Sequence, residues 1–348
     1  MLKKLVISLC LVSVVSCAPK IKNFSEFKKQ PILRSKLVSK KEIKKTRPSV
    51  VVLNFNNRDS KVAKKTRLGN SLAVTTENIL SESKLVKLAD RRAFKKLSKE
   101  IALAEMNETG SYKGPSSVDY AVSGDISTAG FNHKFISAKS RFNATTKRYT
   151  RTPARNKYTA TFSGNLKIYK VPSLEVVEVI ALNGEEHRFE DAVENRSWFK
   201  TTVDTSAIKK EDNDMIRKAA VDALDVQRHV LKNIFSSLRK GYITSKKSDG
   251  KRNIFKIALG KSNGIEHGQK VKIFTKEKTK NELTDEVSVE EIEIGQGVVS
   301  NIITGKSAWV IVKDKNVADQ IKMGDHVTVA FKKKFSRHMK SFSNVVKR

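Results

Sequence analysis

Residues 1–17 decide what the rest of the chain has to fold with. Lys3 and Lys4 precede a largely apolar run from Leu5 to Val15, which ends in Ser16 and Cys17. A basic start, a short apolar stretch and a small residue make the n-region, h-region and cleavage site of a secretory signal, and the stretch falls short of the ~20 residues that span a bilayer. Of the 2 cysteines in the sequence, Cys10 lies inside that signal and Cys17 at its edge. Past Cys17 no run reaches the ~18 apolar residues of a membrane helix. The processed chain must therefore fold by core packing and backbone pairing, with no disulfide and no cysteine-built metal site, even in an oxidising compartment.

The order Val14-Val15-Ser16-Cys17 resembles the bacterial lipobox. That resemblance implies diacylation of the Cys17 thiol, with palmitate-type chains, and Cys17 as the mature N-terminus. Buried acyl carbons contribute ~0.8 kcal/mol per CH₂, so two or three chains hold a soluble body at a membrane. Ala18 stands where an aspartate in this class of protein favours inner-membrane retention. The expectation is an outer-membrane lipoprotein facing the periplasm.

The 348 residues carry 69 Lys+Arg against 36 Asp+Glu, a formal net charge of +33. Outside the cytoplasm such a surface selects anionic partners: lipid head groups, peptidoglycan or another anionic envelope polymer, or an acidic periplasmic protein. Export removes nucleic acid from that set. Lysine bias of the genome is the bland source of the same charge, so charge alone assigns no partner.

Residues 18–48 are polar and Lys-rich, with a cluster at Lys40, Lys41, Lys44, Lys45 and Arg47, and read as a basic tether. From Ser49 the pattern becomes structural. Ser49 to Phe55 is a β-branched apolar run, as expected of a strand buried on both faces. Leu68, Leu72, Thr75 and Ile79 recur at helical spacing. Leu85 to Leu88 is a short strand before Asp90-Arg91. Phe94, Leu97, Ile101 and Ala104 mark a second helix, and Tyr120 to Ile126 a third strand. The order βαβαβ predicts an α/β layer over 49–240. Asn165–Val171 and Glu175–Ile180 form a hairpin about Pro172-Ser173. The longest helix runs from Asp212 to about Arg239 on a stripe of Ile216, Ala220, Ala223, Leu224, Gln227, Leu231, Ile234, Phe235 and Leu238, with Gly241 as its C-cap.

These residues carry a family resemblance. The apolar strand ending at Phe55, the Leu68-Gly69 helix start, the strand ending at Asp90-Arg91 and the run Asp119-Tyr120-Ala121-Val122-Ser123-Gly124 resemble the curli-secretion channel (CsgG-like) lipoprotein family. Its fold is shared with the lipoprotein activator of penicillin-binding proteins and with a flagellar assembly protein. The resemblance implies an assembly factor for an envelope structure, an oligomeric secretion channel, or an activator of peptidoglycan synthases, and leaves a homo-oligomer open.

In the channel relatives two hairpins become transmembrane strands. Here Gly130 to Leu174 holds no acidic residue but carries Lys134, Lys139, Arg141, Lys147, Arg148, Arg151, Arg155 and Lys157. The second candidate hairpin, Gly184 to Lys200, mixes Glu185, Glu186, Arg188, Glu190, Asp191, Glu194 and Arg196. An arginine or lysine facing lipid at the bilayer midplane costs ~2–4 kcal/mol. A basic exposed loop or hairpin is expected instead, with Arg141, Lys147, Arg148, Arg151 and Arg155 as the contact residues for an anionic partner.

After a polar break at 241–250, five short strands are expected within 251–332: 254–260, 270–274, 291–299, 308–312 and 327–331. A charged loop from Lys276 to Glu290 lies among them. They predict a small β-barrel that resembles the C-terminal barrel of the flagellar assembly protein T through its Gly-x-Gly-x-Val and Gly-Asp-x-Val edges. The basic stretch 333–348 is a tail. The fold class is α+β.

The 6 histidines show no His-x-x-x-His or Glu-x-x-His spacing, and no nucleophile elbow, phosphate loop or dinucleotide fingerprint occurs. Neither a metal nor another cofactor is expected, and the function expected is non-enzymatic; a buried His–carboxylate pair would point to a hydrolase instead. Replacing Cys17→Ser should leave both domains folded and move the protein from the membrane pellet to the supernatant. Retention in a high-salt-washed pellet would contradict a lipid anchor.

Overall fold

A computed structural model describes residues 18–39, 47–57, 60–107, 112, 118–192, 194–196, 201–203 and 208–333. The fold is α+β, with a closed six-stranded antiparallel barrel in the C-terminal part. Two compact units divide the chain: Lys45–Arg239 with Phe331–Arg348, and Met1–Lys44 with Lys240–Ala330. The first strand, β1 (Lys28–Gln30), belongs to the barrel unit and is described with it.

The α/β unit runs β2 (Ser49–Val52), α1 (Lys61–Lys65), α2 (Leu68–Ser83), β3 (Lys87–Ala89), α3 (Lys95–Asn107), β4 (Tyr120–Ile136), β5 (Lys139–Asn143), β6 (Arg148–Thr152), β7 (Arg155–Lys170), β8 (Val176–Asp191), β9 (Glu194–Arg196), β10 (Thr201–Val203) and α4 (Asn213–Ser237). Its main sheet has the order β3-β2-β4-β7-β8, with β2 parallel to β3 and β4 and the remaining pairs antiparallel. The apolar run at Ser49 is buried on both faces, as its composition requires. Val50 and Val52 pack with Leu72, Ile79 and Leu80 of α2 and with Ile216, Ala220, Leu224, Leu231 and Phe235 of α4. Val51 and Leu53 point the other way, to Phe94 and to Leu97 and Ile101 of α3. On α2 the buried threonine is Thr76; Thr75, expected on the apolar stripe, is half-buried.

Helix α4 begins where the sequence places it. Asp212 caps it by accepting from the backbone N–H of Met215 at 3.0 Å and of Asp214 at 3.1 Å. Its other end differs: Leu238 is the cap, and Gly241 opens the next strand.

The sheet strands are longer than their apolar segments. β7 starts at Arg155 rather than 165, and β8 continues to Asp191, taking in half of the second candidate hairpin. Along β7 every even residue from Asn156 to Ile168 is buried, Tyr158, Ala160, Phe162 and Leu166 among them, and every odd one from Arg155 to Lys167 is part-exposed or exposed. That alternation is the signature of one covered and one open face. Gly184 on β8 gives α4 room, because a Cβ there would lie 2.0 Å from the Ala219 carbonyl oxygen.

The barrel contains six strands where the sequence predicts five. These are β11 (Gly241–Ser248), β12 (Asn253–Ile257), β13 (Lys270–Lys280), β14 (Val287–Ile303), β15 (Ala308–Val312) and β16 (His326–Ala330), with α5 (Lys315–Gln320) before the last. The order β11-β12-β15-β14-β13-β16 closes when Gly241 and Tyr242 pair with Val327 and His326. The polar break at 241–250 is thus the closing strand. The charged loop at 276–290 is a ribbon, Lys276–Lys280 pairing with Val287–Glu291 about a turn at 281–286.

Residues 18–39 are no tether. Ile21 and Phe27 are buried against Ile254, Trp309 and Ile311, β1 pairs with β11, and Asn301 holds both backbone groups of Ile21, at 2.7 and 3.2 Å. Lys247 lies 4.1 Å over the Phe24 ring and Arg252 5.1 Å over that of Phe27. The segment is a strap whose apolar residues complete the barrel's outer wall. Residues 40–46 of the basic cluster and 334–348 of the tail lie outside the described residues.

Gly184→Ala should destabilise the α/β unit by about 1–3 kcal/mol, since the methyl group must displace helix backbone. Urea unfolding measures it, and an unchanged midpoint would show that α4 can shift freely.

Candidate functional site

Four of the five basic contact residues predicted from sequence meet on one hairpin. β5 and β6 pair as a separate two-stranded sheet, in the register Lys139↔Thr152, Ser140↔Arg151, Arg141↔Thr150, Phe142↔Tyr149 and Asn143↔Arg148. Asn143 makes the tight connection: its Oδ1 accepts from the N–H of Thr145 at 3.0 Å and of Thr146 at 3.2 Å. Lys147 closes the turn in the left-handed region, φ 51°.

Directly opposed residues share a face, so the register sorts the side chains. One face carries Lys139, Arg141 and Arg148 with Asn143, Thr150 and Thr152. The other carries Arg151, Ser140 and the aromatic pair Phe142 and Tyr149, whose ring centroids are 5.1 Å apart. Phe142 is 50% and Tyr149 76% exposed, unusual for rings with so much apolar surface. Arg155 departs from the expected group. It sits on β7, and its guanidinium meets Asp191 of β8 at 3.2 Å. The hairpin is a cationic surface with one aromatic patch, within a stretch, 130–174, whose sequence holds no acidic residue. Cys17, the predicted lipidation site, lies outside the described residues; the chain is described from Ala18.

A second cluster escaped sequence reasoning. Lys167 on β7 reaches Glu105 of α3 at 2.7 Å and Asp125 of β4 at 2.9 Å, and the Tyr169 hydroxyl donates to Glu105. Burial alone would lower the Lys167 pKa, but the two carboxylates outweigh it and hold the ammonium above its ordinary value. Strand alternation places Lys167 beside Asp125, which is the one sequence signal available; Glu105 arrives from a helix. The cluster ties α3 to the sheet.

The barrel unit contains a cavity of about 310 Å³, lined by Pro31 to Leu33 of the strap and by residues that include Lys246, Thr275, Glu277, Asp319 and Lys322. Beside it, Asp325 is 2% exposed, accepting from Thr275 Oγ1 at 3.0 Å and from the Lys322 N–H at 2.7 Å. A His–carboxylate approach also exists, buried on the histidine side alone: His326, 2% exposed and stacked on Phe274, has Nε2 3.5 Å from the exposed Glu291. Glu291 also binds Lys240, and neither His326 nor Glu291 lines the cavity. Among the described residues no group of three or more His, Cys, Asp or Glu is placed to hold a metal ion, and no helix is long and apolar enough to cross a membrane.

No family model matches the chain, and no curated protein matches it. Among solved structures it is similar to the lipoprotein GNA1162 from Neisseria meningitidis, at 10% identity and TM-score 0.25, covering 40% of this chain and 83% of that one. It is similar to the PelC dodecamer from Paraburkholderia phytofirmans, at 13% identity and TM-score 0.23, covering 57% and 93%. A third likeness is to a neuraminyllactose-binding hemagglutinin homolog from Helicobacter pylori, at 15% identity and TM-score 0.25, covering 56% and 87%.

Burial pushes the Asp325 carboxyl up, against its two hydrogen bonds, so the folded barrel holds that proton more tightly than the unfolded chain does. Stability is therefore lost as pH rises from the ordinary carboxylate range through the raised value, and the loss stays constant above it. Asp325→Asn removes this slope. In thermal melts across that range the variant should gain on the wild type as pH rises; a pH-independent difference would contradict the assignment.

Proposed function

We propose that this protein is a lipid-anchored, non-enzymatic envelope factor that binds an anionic partner through the β5–β6 hairpin. The observation that carries the proposal is the hairpin itself: Arg141, Arg148 and Arg151 on a two-stranded sheet with the exposed Phe142–Tyr149 pair. Arginine forks suit carboxylate and phosphate, and exposed aromatic rings give a desolvated centre around which such contacts strengthen. The partner class is an acidic periplasmic protein or an anionic polymer such as peptidoglycan. The lipobox-like Cys17 supports an outer-membrane lipoprotein facing the periplasm, serving the assembly or regulation of an envelope structure, peptidoglycan-synthase activation included.

The secretion-channel reading asks the strands beyond the core to face lipid. On the open face of the β4–β7–β8 ribbon stand Asn132, Lys134, Lys157, Thr159, Glu185 and His187, with the exposed Phe189 among them. Polar and charged groups at this density would cost several times the ~2–4 kcal/mol of a single midplane lysine or arginine. That speaks against insertion of this face.

The test is a charge reversal at Arg141, Arg148 and Arg151, each to Glu, with binding to isolated envelope fractions measured at physiological salt. A loss of about tenfold or more per desolvated arginine contact is the expected scale, at 1.4 kcal/mol per decade. Unchanged binding by a folded triple variant would overturn the hairpin as the contact surface. Rings in electron micrographs of detergent-extracted protein would return the channel reading.

A further inference from the structure

We propose that one end of the barrel, built from residues 258–269 and 304–307, is a membrane-docking face seated on anionic phospholipid head groups. The inference rests on the lipidation of Cys17 proposed above.

Because the barrel strands alternate in direction, the β12–β13 and β14–β15 connections emerge at the same end. Backbone bonds knit them together: the Lys261 N–H donates to the Thr304 carbonyl at 2.9 Å and that of Ser262 to the Gly305 carbonyl at 3.0 Å. The strap starts at this same end. His267 Nε2 lies 3.3 Å from the Pro19 carbonyl. Gly268, at φ +82°, admits the chain here; a Cβ on it would stand 2.8 Å from the Ala18 Cβ. Ile21 is then locked to Asn301 and only 3% exposed.

One peptide bond joins Ala18 to Cys17, so the acylated residue has its Cα ~3.8 Å from that of Ala18. No slack remains between the acyl chains and the barrel. A free tether would let the body wander over tens of ångströms; this strap sets which surface faces the bilayer. That surface is suited to the task. Lys20, Lys22, Lys261, Lys270 and Lys306 are exposed around it, and within 18–23, 258–270 and 304–307 the single acid is Glu266. Clustered lysines within a Debye length of an anionic leaflet are drawn to it. The opposite end bears the ribbon tip, where Leu283 is 96% exposed. From Lys270 to Lys280, β13 carries the chain ~33 Å away from the docking end, at ~3.3 Å per residue.

The processed chain has no cysteine other than Cys17, so single labels are clean. The acylated full-length protein carries a fluorophore at Lys306→Cys, Lys261→Cys or Leu283→Cys and is reconstituted in phosphatidylglycerol–phosphatidylethanolamine vesicles containing head-group nitroxide lipid. The N-terminal peptide of each preparation is weighed for its acyl mass. Loss of fluorescence at 306 and 261 with none at 283 is expected. An acylated, vesicle-bound protein whose 306 and 261 labels stay bright, or whose 283 label is quenched as strongly, overturns the docking face alone. A membrane-bound protein without acyl mass overturns the lipidation reading, and the docking face with it. The two exposed positions are independent, so a folding defect at one leaves the other to decide.

Discussion

β7 is the strand on which the α/β unit depends. It is paired along its length with β4 on one side and β8 on the other, and its even residues form the floor on which α4 lies. Burying a large side chain contributes on the order of 1.5–3 kcal/mol, so Tyr158, Phe162, Leu166 and Ile168 together outweigh any surface ion pair in the unit. The same strand fixes the functional surface. β4 and β7 stay paired out to Ile136 and Arg155, and the chain between those two residues forms the β5–β6 hairpin.

The barrel obeys a different constraint. It is small, it has no disulfide, and its closing strand β11 has an apolar face over only its first half. The other half is completed from outside. Lys246 and Lys247 lay their cations over the rings of Phe255 and Phe24, at 5.6 and 4.1 Å, and the strap brings Ile21, Phe24 and Phe27 to the Trp309 wall. Each such cation–π contact contributes about 0.5–1 kcal/mol at an exposed site, and the aromatic burial more. The N-terminal residues are thus structural, which is why an anchor at Cys17 would fix the barrel's attitude as well as its address.

How much was legible in the sequence follows from these two constraints. β2 and β15 could be read because both faces are buried and the residues are continuously apolar. Helix α4 could be read because its stripe is long and Asp212 caps it. β11 could not: Lys246 and Lys247 look like a solvated break until the rings they cover are in view. The strap was missed for the same reason, its three apolar residues being spaced among lysines with their partners far along the chain. At the candidate site the sequence showed the charge run and its lack of acids. It did not show that Arg155 belongs to β7 and faces Asp191, nor that pairing register puts Arg151 with the aromatic pair and Arg141 with Arg148. Register is a tertiary fact, set by β5–β6 pairing and the Asn143 turn.

The central claim is that the hairpin is a contact surface for an anionic envelope partner. A photo-crosslinking residue placed at Tyr149, activated in intact cells, tests it most directly, because that ring is among the most exposed and lies beside Arg151. The account predicts a discrete adduct with a second macromolecule of acidic character, lost when Arg141, Arg148 and Arg151 are reversed to Glu. Adducts only to further copies of this chain, or none, would contradict it.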